Sequence, residues 1–177
     1  MTSEFDITPD GTPIAPDSIE PDFTEEETHF MRLALQEASK ALEHGDVPIG
    51  AVAVLHHEVI GRGYNQRERD RDPTAHAEII AMREAAHHIR HWRLDDVTLY
   101  CTLEPCPMCA GAMVLARLPR LIYATHDPKA GAGGSIMNIT QHPQLNHRVD
   151  VAYGLLADEA AEQIRTFFRA LRAQGKK

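Results

Sequence analysis

The sequence has few cysteines and no long apolar run. Three cysteines are too few for a disulfide framework, and two of them, Cys106 and Cys109, stand in a Cys-x-x-Cys spacing that favours metal or redox chemistry in a reducing compartment. No apolar stretch approaches the roughly 20 residues needed to span a bilayer, and the N-terminus has no secretory signal pattern. We therefore expect a cytoplasmic protein that does not enter the membrane.

Basic residues are missing from residues 1–27. Nine of the 26 acidic residues lie in this segment, which leaves 17 acids against 18 bases in the rest of the chain. The net charge of −8 therefore comes from the N-terminus, and the body is nearly neutral. Prolines, glycines and few large apolar groups predict that residues 1–22 form a flexible acidic tail. A modest basic patch at residues 165–177 could meet phosphates or serve only as a solvated helix end.

Hydrophobic periodicity after residue 22 predicts helices alternating with strands. Capping-box spacing from Thr24 to Glu27 opens a first helix, which Gly45 ends. The predicted strands are 49–55, 58–65, 97–102, 121–125 and 149–153, and the later helices are 76–89, 107–117 and 156–171. This order predicts an α/β fold with one domain over residues 23–174. Its sheet is largely parallel after an opening hairpin and carries helices on both faces, as in a three-layer α-β-α sandwich.

Two short motifs carry the chemistry. Residues 73–78 read Pro-Thr-Ala-His-Ala-Glu, and residues 105–109 read Pro-Cys-Pro-Met-Cys. One imidazole, from His76, and two thiolates, from Cys106 and Cys109, suit Zn²⁺, and three protein ligands leave the fourth tetrahedral position open, as in catalytic zinc sites. If Cys106 is the N-cap of the helix that Pro107 opens, both sulfurs meet at a helix N-terminus whose dipole favours thiolate.

Glu78 is the candidate proton carrier. Residues two apart on a regular helix point about 200° away from each other, so His76 and Glu78 share a site only if His76 stands at the very start of its helix. Thr74 as the N-cap would place it there. Glu78 then need not bind the metal, and it can move protons between water and substrate.

Two alternatives use the same residues. The cysteine pair could be a thioredoxin-like redox pair, in which case the His-x-Glu motif would be a coincidence. Zinc could also serve only to support the fold of a non-catalytic RNA-binding or assembly subunit. Glu78 argues against that alternative, since structural zinc needs no proton shuttle.

His-x-Glu ahead of Pro-Cys-x-x-Cys is the signature of the zinc nucleobase deaminases. From about Phe30 to Arg172 the chain resembles the bacterial tRNA-specific adenosine deaminases within that group. The resemblance rests on segments 47–52, 63–65, 72–78, 103–106, 109–113, 127–129 and 146–149.

That resemblance implies a cytidine deaminase-like fold with a five-stranded mixed sheet and one Zn²⁺ per subunit of a homodimer. It implies hydrolytic deamination of adenosine to inosine at the wobble position of the anticodon stem-loop of a tRNA, with Glu78 as the catalytic residue. The implied substrate-binding residues are Asn65 against the flipped nucleoside, Ile49 and Leu103 along the base, Asp127 and Lys129 on neighbouring nucleotides, and Phe168 and Arg169 closing on the anticodon loop.

The chain also departs from the family pattern. His126 stands where an arginine is expected, Tyr64 replaces a tryptophan, and the basic end stops at Lys177. These differences bear on contacts with flanking nucleotides and not on the reaction. A deaminase of free cytosine, guanine or nucleosides would share the metal site, and it remains the alternative at this point.

Overall fold

A computed structural model describes residues 22–175. Within that range the chain forms five α-helices, one 3₁₀ helix and five strands. They are α1 (Glu25–Lys40), the 3₁₀ helix (Ala41–His44), β1 (Gly50–Leu55), β2 (Glu58–Tyr64), α2 (Arg67–Asp70), α3 (Ala77–Ile89), β3 (Thr98–Leu103), α4 (Pro107–Leu115), β4 (Arg120–Thr125), β5 (Asp150–Tyr153) and α5 (Ala157–Ala173). The predicted tail lies outside the described residues except for Asp22. Within residues 22–175, every helix is too short or too polar to cross a bilayer.

The strands of the described residues form one mixed sheet in the order β2-β1-β3-β4-β5. β1 is antiparallel to both β2 and β3, whereas β3, β4 and β5 are parallel to one another. The predicted hairpin followed by a largely parallel sheet is therefore confirmed. Because β3 and β4 are parallel, their carboxyl ends lie side by side, and the segments that follow them meet at one edge of the sheet.

Helices cover both faces of the sheet, as the strand-helix alternation predicted. On one face, α3 and α4 pack on a core that includes Leu99, Leu121 and Tyr123. On the other face, α1 and α5 pack on a second core that includes Tyr100 and Ile122. Neighbouring residues of one strand thus enter different cores, as the two-residue period of a β-strand requires.

The first helix begins as predicted, but its α-helical part ends at Lys40, and the residues from Ala41 to His44 form a 3₁₀ helix before Gly45. Thr24 accepts a hydrogen bond from the Glu27 N–H at 3.0 Å, and the Glu27 carboxylate accepts one from the Thr24 N–H at 2.9 Å. At the other end, Gly45 has a φ of 74°, which costs a glycine nothing, and it caps the 3₁₀ helix. The helix after β2, Arg67–Asp70, was not predicted, because its four polar residues carry no apolar periodicity.

Helix α3 lies unusually close to β2. A Cβ atom on Gly63 would collide with the carbonyl oxygen of Ala77, and one on Gly61 with that of Ala81. The two glycines therefore let the helix backbone rest directly on the strand. This contact fixes where α3 starts.

Candidate metal centre and active site

The three predicted ligands come together at the starts of α3 and α4. The Nδ1 atom of His76 lies 3.6 Å from Sγ of Cys106 and 3.6 Å from Sγ of Cys109, and the two sulfurs are 3.7 Å apart. All three donor atoms lie within 4.8 Å of one another. Separations of this size fit a tetrahedral centre with metal–sulfur bonds of about 2.3 Å and a metal–nitrogen bond of about 2.0 Å. That the three residues bind zinc stays a prediction.

The start of α3 differs from the prediction in one respect. His76 itself is the N-cap residue, with φ −83° and ψ 148°, so the prediction that Thr74 caps this helix is wrong. The Thr74 N–H and hydroxyl both donate to Asp72 Oδ1 at 2.7 Å, which holds Thr74 in a turn before the helix. The expected consequence still holds, since His76 lies outside the regular helix and both it and Glu78 reach one site.

Cys106 is the N-cap of α4 and Pro107 is its first residue, as predicted. The pKa of the Cys106 thiol is lowered to about 4, first by its hydrogen bond with Cys109 and then by its contact with His76. The same contact and burial raise the pKa of Cys109. Two neighbouring thiols ionise together only beside a cation. The donor set of one imidazole and two sulfurs therefore fits a divalent ion such as zinc.

Glu78 is buried at the first turn of α3, with 4% of its surface exposed. Burial raises the pKa of its carboxyl, against the lowering effect of its own backbone N–H, the charge of His76 and a hydrogen bond with Cys109. The carboxyl thus reaches the donor cluster without being one of the three clustered ligands.

Asn65 follows β2 and is buried, with 2% of its surface exposed. Its backbone N–H donates to the carbonyl oxygen of Ile49 at 3.0 Å, but its side-chain Oδ1 has no hydrogen-bond partner among the described residues. A buried polar atom without a partner is costly, and such atoms are found where a ligand supplies the missing bond. The N–H of the next residue, Gln66, donates to the carbonyl oxygen of Ala75, which directly precedes His76. Asn65 therefore presents an unused acceptor close to the start of α3.

A cavity of about 600 Å³ connects Asn65 to the last helix. Its lining includes Asn65, Val47 and Phe168. Phe168 is half-buried and packs edge-on against Phe167, with ring centroids 5.3 Å apart. Arg169 is exposed and lies 3.5 Å from the Glu162 carboxylate. Phe168 therefore shares a cavity with Asn65, whereas Arg169 faces solvent.

The loop after β4 carries two further predicted contacts, Asp127 and Lys129. The Lys129 N–H donates to Asp127 Oδ1 at 2.9 Å, which orders this turn while the Lys129 side chain stays exposed. Ile49 directly precedes β1 and Leu103 is the last residue of β3, and both are half-buried. The structure places these residues as described, and their roles toward a substrate stay predictions.

The two departures from the family pattern have local partners. His126 packs against Tyr153, with ring centroids 4.7 Å apart, and its Nδ1 lies 3.1 Å from the Tyr123 hydroxyl. Tyr64 accepts a hydrogen bond from Arg69 at 2.7 Å. Both substitutions are therefore accommodated by contacts within the chain.

Glu104 was not among the predicted site residues. This carboxylate is buried directly after β3, and burial by itself would raise its pKa, but hydrogen bonds from Ser135, Asp127 and Gly133 outweigh burial and hold the pKa below its usual value. An acidic residue at the end of an apolar strand, just before Pro-Cys, was the signal available in the sequence.

Comparison with known proteins identifies the family. Residues 25–172 match the family model of the MafB19-like deaminases. The tRNA-specific adenosine deaminase of Bacillus subtilis is 46% identical over 147 residues, which cover 83% of this chain and 91% of the relative. That of Streptococcus pyogenes is 47% identical over 152 residues, which cover 86% of this chain and 96% of the relative.

A solved structure extends the similarity to the fold. It comes from studies of A-to-I editing by tRNA:A34 deaminases at the wobble position of transfer RNA. It superposes with a TM-score of 0.74 at 48% identity and covers 77% of this chain and 99% of its own length. The five-stranded mixed sheet within residues 22–175 and the covering helices are thus those of a known deaminase fold. This chain belongs to the family of the tRNA-specific adenosine deaminases.

Proposed function

We propose that this protein is a zinc-dependent deaminase that converts adenosine to inosine at the wobble position of a tRNA anticodon loop, with residues 23–174 as its deaminase domain. The observation that carries the proposal is the cluster of His76, Cys106 and Cys109 with the buried carboxyl of Glu78 beside it. This combination provides a metal site with an open position and a proton carrier, which hydrolysis of an amidine requires.

When bound, Zn²⁺ supplies the Lewis acidity that makes water a nucleophile near neutral pH. Glu78 takes a proton from the attacking water and delivers it to N1 of adenine as the oxygen bonds to C6. The hydroxyl now on C6 then gives a second proton to Glu78, which passes it to the amino group. The C6–N bond breaks, ammonia leaves, and adenosine and water have become inosine and ammonia.

Asn65 is proposed to hold the nucleoside in the site. Its buried Oδ1 lacks a partner among the described residues, so a donor group of the substrate would satisfy it at no cost to another bond. Ile49 and Leu103, at the adjoining strand ends, are proposed to contact the faces of the base. These contacts orient C6 of the base toward the donor cluster.

An RNA must present this adenine outside a base stack, as a single-stranded anticodon loop does. We assign Asp127 and Lys129 to neighbouring nucleotides and Phe168 and Arg169 to the loop as it closes over the cavity. The nearly neutral body of the protein fits recognition of loop shape more than recognition of a long phosphate backbone. A tRNA substrate also implies a cytoplasmic location.

A homodimer is part of the proposal. Trp92 and Leu115 are 60% and 73% exposed, and Trp92 borders an apolar pocket between α3 and α4 that Ala112 and Ala116 also line. Exposed apolar groups grouped around two helices are typical of a protein–protein interface. We expect a dimer by analytical sedimentation at micromolar concentration, and Leu115→Glu should shift it toward monomer; a wild-type monomer would contradict this part of the proposal.

The experiment that tests the function compares substrates. Purified protein loaded with zinc is offered an adenosine-containing anticodon stem-loop, free adenosine, free guanine and free cytosine, and ammonia release is followed. We expect turnover of the stem-loop. Turnover of the free compounds alone would overturn the RNA assignment and favour a deaminase of free bases or nucleosides.

A further inference from the structure

Glu104 is a buried carboxylate that collects hydrogen bonds from one loop. Only 1% of its surface is exposed. Its Oε1 accepts from the N–H groups of Gly133 and Ser135 at 2.9 and 3.0 Å. Its Oε2 accepts from the Asp127 N–H at 3.0 Å and from the Ser135 hydroxyl. Charge-assisted bonds of this kind are stronger than neutral ones, so the carboxylate fixes both ends of the loop 127–135.

The same residue belongs to the segment that carries a predicted metal ligand. Glu104 follows β3 directly and stands two residues before Cys106. The carbonyl oxygen of the intervening Pro105 accepts a bond from the Ala132 N–H at 2.9 Å, which ties the segment to the loop a second time. A movement of this loop relative to the donor cluster must therefore break bonds to Glu104.

The loop is tightly packed against Glu104 at Gly131. A Cβ atom on Gly131 would collide with the Glu104 carboxylate and the Ser135 hydroxyl. The Gly131 N–H donates to the Asp127 carbonyl oxygen at 3.0 Å, so the turn that carries Asp127 and Lys129 closes on itself. The position of this turn is thus set by the carboxylate beneath it.

We propose that Glu104 is a positioning residue for RNA binding, which acts by holding the Asp127–Lys129 turn at a fixed place relative to the metal-donor cluster. The inference rests on the proposed function, because it assigns the turn to nucleotides beside the target adenosine. Glu104 touches neither substrate nor metal in this assignment. Its effect on the reaction passes through the loop.

The informative substitution is Glu104→Gln, which keeps the size of the side chain. With the amide oxygen at the Oε1 position, Gly133 and Ser135 keep their acceptor, and the Ser135 hydroxyl can accept from the new NH₂ group. The Asp127 N–H then faces a donor. In the flipped orientation two backbone N–H groups would face the NH₂ group, which is worse. The variant therefore removes the bond from the Asp127 N–H and alters the 3.4 Å contact between His126 Nδ1 and Oε2, while the bonds from the Gly133 and Ser135 N–H groups stay.

The test measures RNA affinity without turnover. Both proteins carry Glu78→Ala, and one of them also carries Glu104→Gln. Fluorescence anisotropy measures how tightly each protein binds an adenosine-containing anticodon stem-loop, and the zinc content of each protein is determined. We expect the dissociation constant to rise about tenfold, the size of losing one hydrogen bond to a charged acceptor, while the zinc content stays equal. With Glu78 present, KM should rise by a similar factor and kcat should change little.

Two controls separate positioning from general loosening of the fold. Ser135→Ala removes the hydroxyl bonds to Glu104 Oε2 and, at 3.3 Å, to the Asp127 carbonyl oxygen, but it keeps the charge-assisted bond from the Asp127 N–H to Glu104. It should therefore change the dissociation constant by about twofold or less. In a chain that carries Asp127→Ala and Lys129→Ala, Glu104→Gln should add no further loss, because the side chains it positions are gone.

The proposal is overturned if the Glu104→Gln protein binds the stem-loop as tightly as the protein with Glu104, or if it loses its zinc. It is also overturned if Glu104→Gln weakens binding equally in the chain that carries Asp127→Ala and Lys129→Ala. Equal losses in Ser135→Ala and Glu104→Gln would also contradict it. A wild-type enzyme that neither binds nor deaminates the stem-loop would instead refute the proposed function, so the two failures are distinguishable.

Discussion

The Nδ1 atom of His76 lies 3.6 Å from Sγ of Cys106, although thirty residues separate the two in the chain. Each residue is the N-cap of its helix, so neither side chain is directed by a regular helical turn. The two helices pack on the same face of the sheet, and their first residues lie together at one end of that layer. Two helix starts thus build a donor cluster, and the first prediction concerns what it binds.

Cys106→Ser should abolish stoichiometric zinc binding. A serine hydroxyl is a poor replacement for a thiolate at a zinc site, and two remaining donors hold the ion weakly. Zinc per subunit, measured by inductively coupled plasma mass spectrometry, should fall from about one to near zero. Cys101→Ser is the matched control, since Cys101 lies buried in β3 and outside the donor cluster, and it should keep its zinc. Full zinc content in Cys106→Ser would refute the ligand assignment.

Glu78→Gln should keep zinc and lose turnover. The amide fills the same volume but cannot accept and release a proton, and general acid–base catalysis contributes about 10²- to 10⁴-fold. The expected result is a fall in kcat of at least about 100-fold at unchanged zinc content and little change in stem-loop affinity. Glu84→Gln, on the same helix but exposed, serves as the control. A variant that retains most of its kcat would remove Glu78 from the mechanism.

Asn65→Ala should lower kcat/KM more than it lowers stability. The side-chain oxygen of Asn65 bonds to no described residue, so its removal leaves no protein donor without a partner. We expect kcat/KM for the stem-loop to fall about 10- to 100-fold, while the free energy of unfolding changes by about 1 kcal/mol or less. Steady-state kinetics and urea unfolding measure the two quantities.

Gln163→Ala is the control for this pair of measurements. Its Oε1 is also buried and has no partner among residues 22–175, but Gln163 does not line the cavity that Asn65 and Phe168 share. This variant should leave kcat/KM unchanged. If both variants lower kcat/KM equally, the unused acceptor of Asn65 has no special relation to the substrate.

Gly63→Ala should destabilise the protein and weaken metal binding together. The added methyl group would collide with the Ala77 carbonyl oxygen at the start of α3, and such overpacking costs about 1–3 kcal/mol or more. Because Ala77 follows His76 directly, displacement of α3 moves a donor atom. Thermal unfolding and a competitive zinc titration should both show the loss, whereas Glu58→Ala, an exposed change on the same strand, should show neither. A stable Gly63→Ala protein with wild-type zinc affinity would contradict the close packing of α3 on β2.

The sequence predicted the donor cluster better than it predicted the loop around it. The spacing of His76, Cys106 and Cys109 is local to two helix starts, so capping signals and ligand chemistry suffice to bring the residues together. Even there, the N-cap of α3 is His76 and not Thr74. The Thr74 N–H donates to the Asp72 carboxylate, and this bond holds Thr74 in a turn before the helix begins.

Glu104 shows why the rest could not be predicted. Its partners lie 23 to 31 residues further along the chain, in a loop without periodicity. Only the parallel pairing of β3 with β4 brings that loop over the carboxylate. Long-range contacts of irregular backbone leave no repeating pattern in a sequence. The unpartnered oxygen of Asn65 is equally invisible there, since it is defined by bonds that are not made.

The identity and position of the product test the proposed deamination of tRNA. A tRNA transcript with adenosine at the first anticodon position is incubated with the zinc-loaded protein, digested by a sequence-specific nuclease and analysed by mass spectrometry. We expect a gain of about one mass unit, from adenosine to inosine, at that position alone, and no change with the Glu78→Gln protein. An unmodified anticodon, or inosine spread over other adenosines of the transcript, would contradict it.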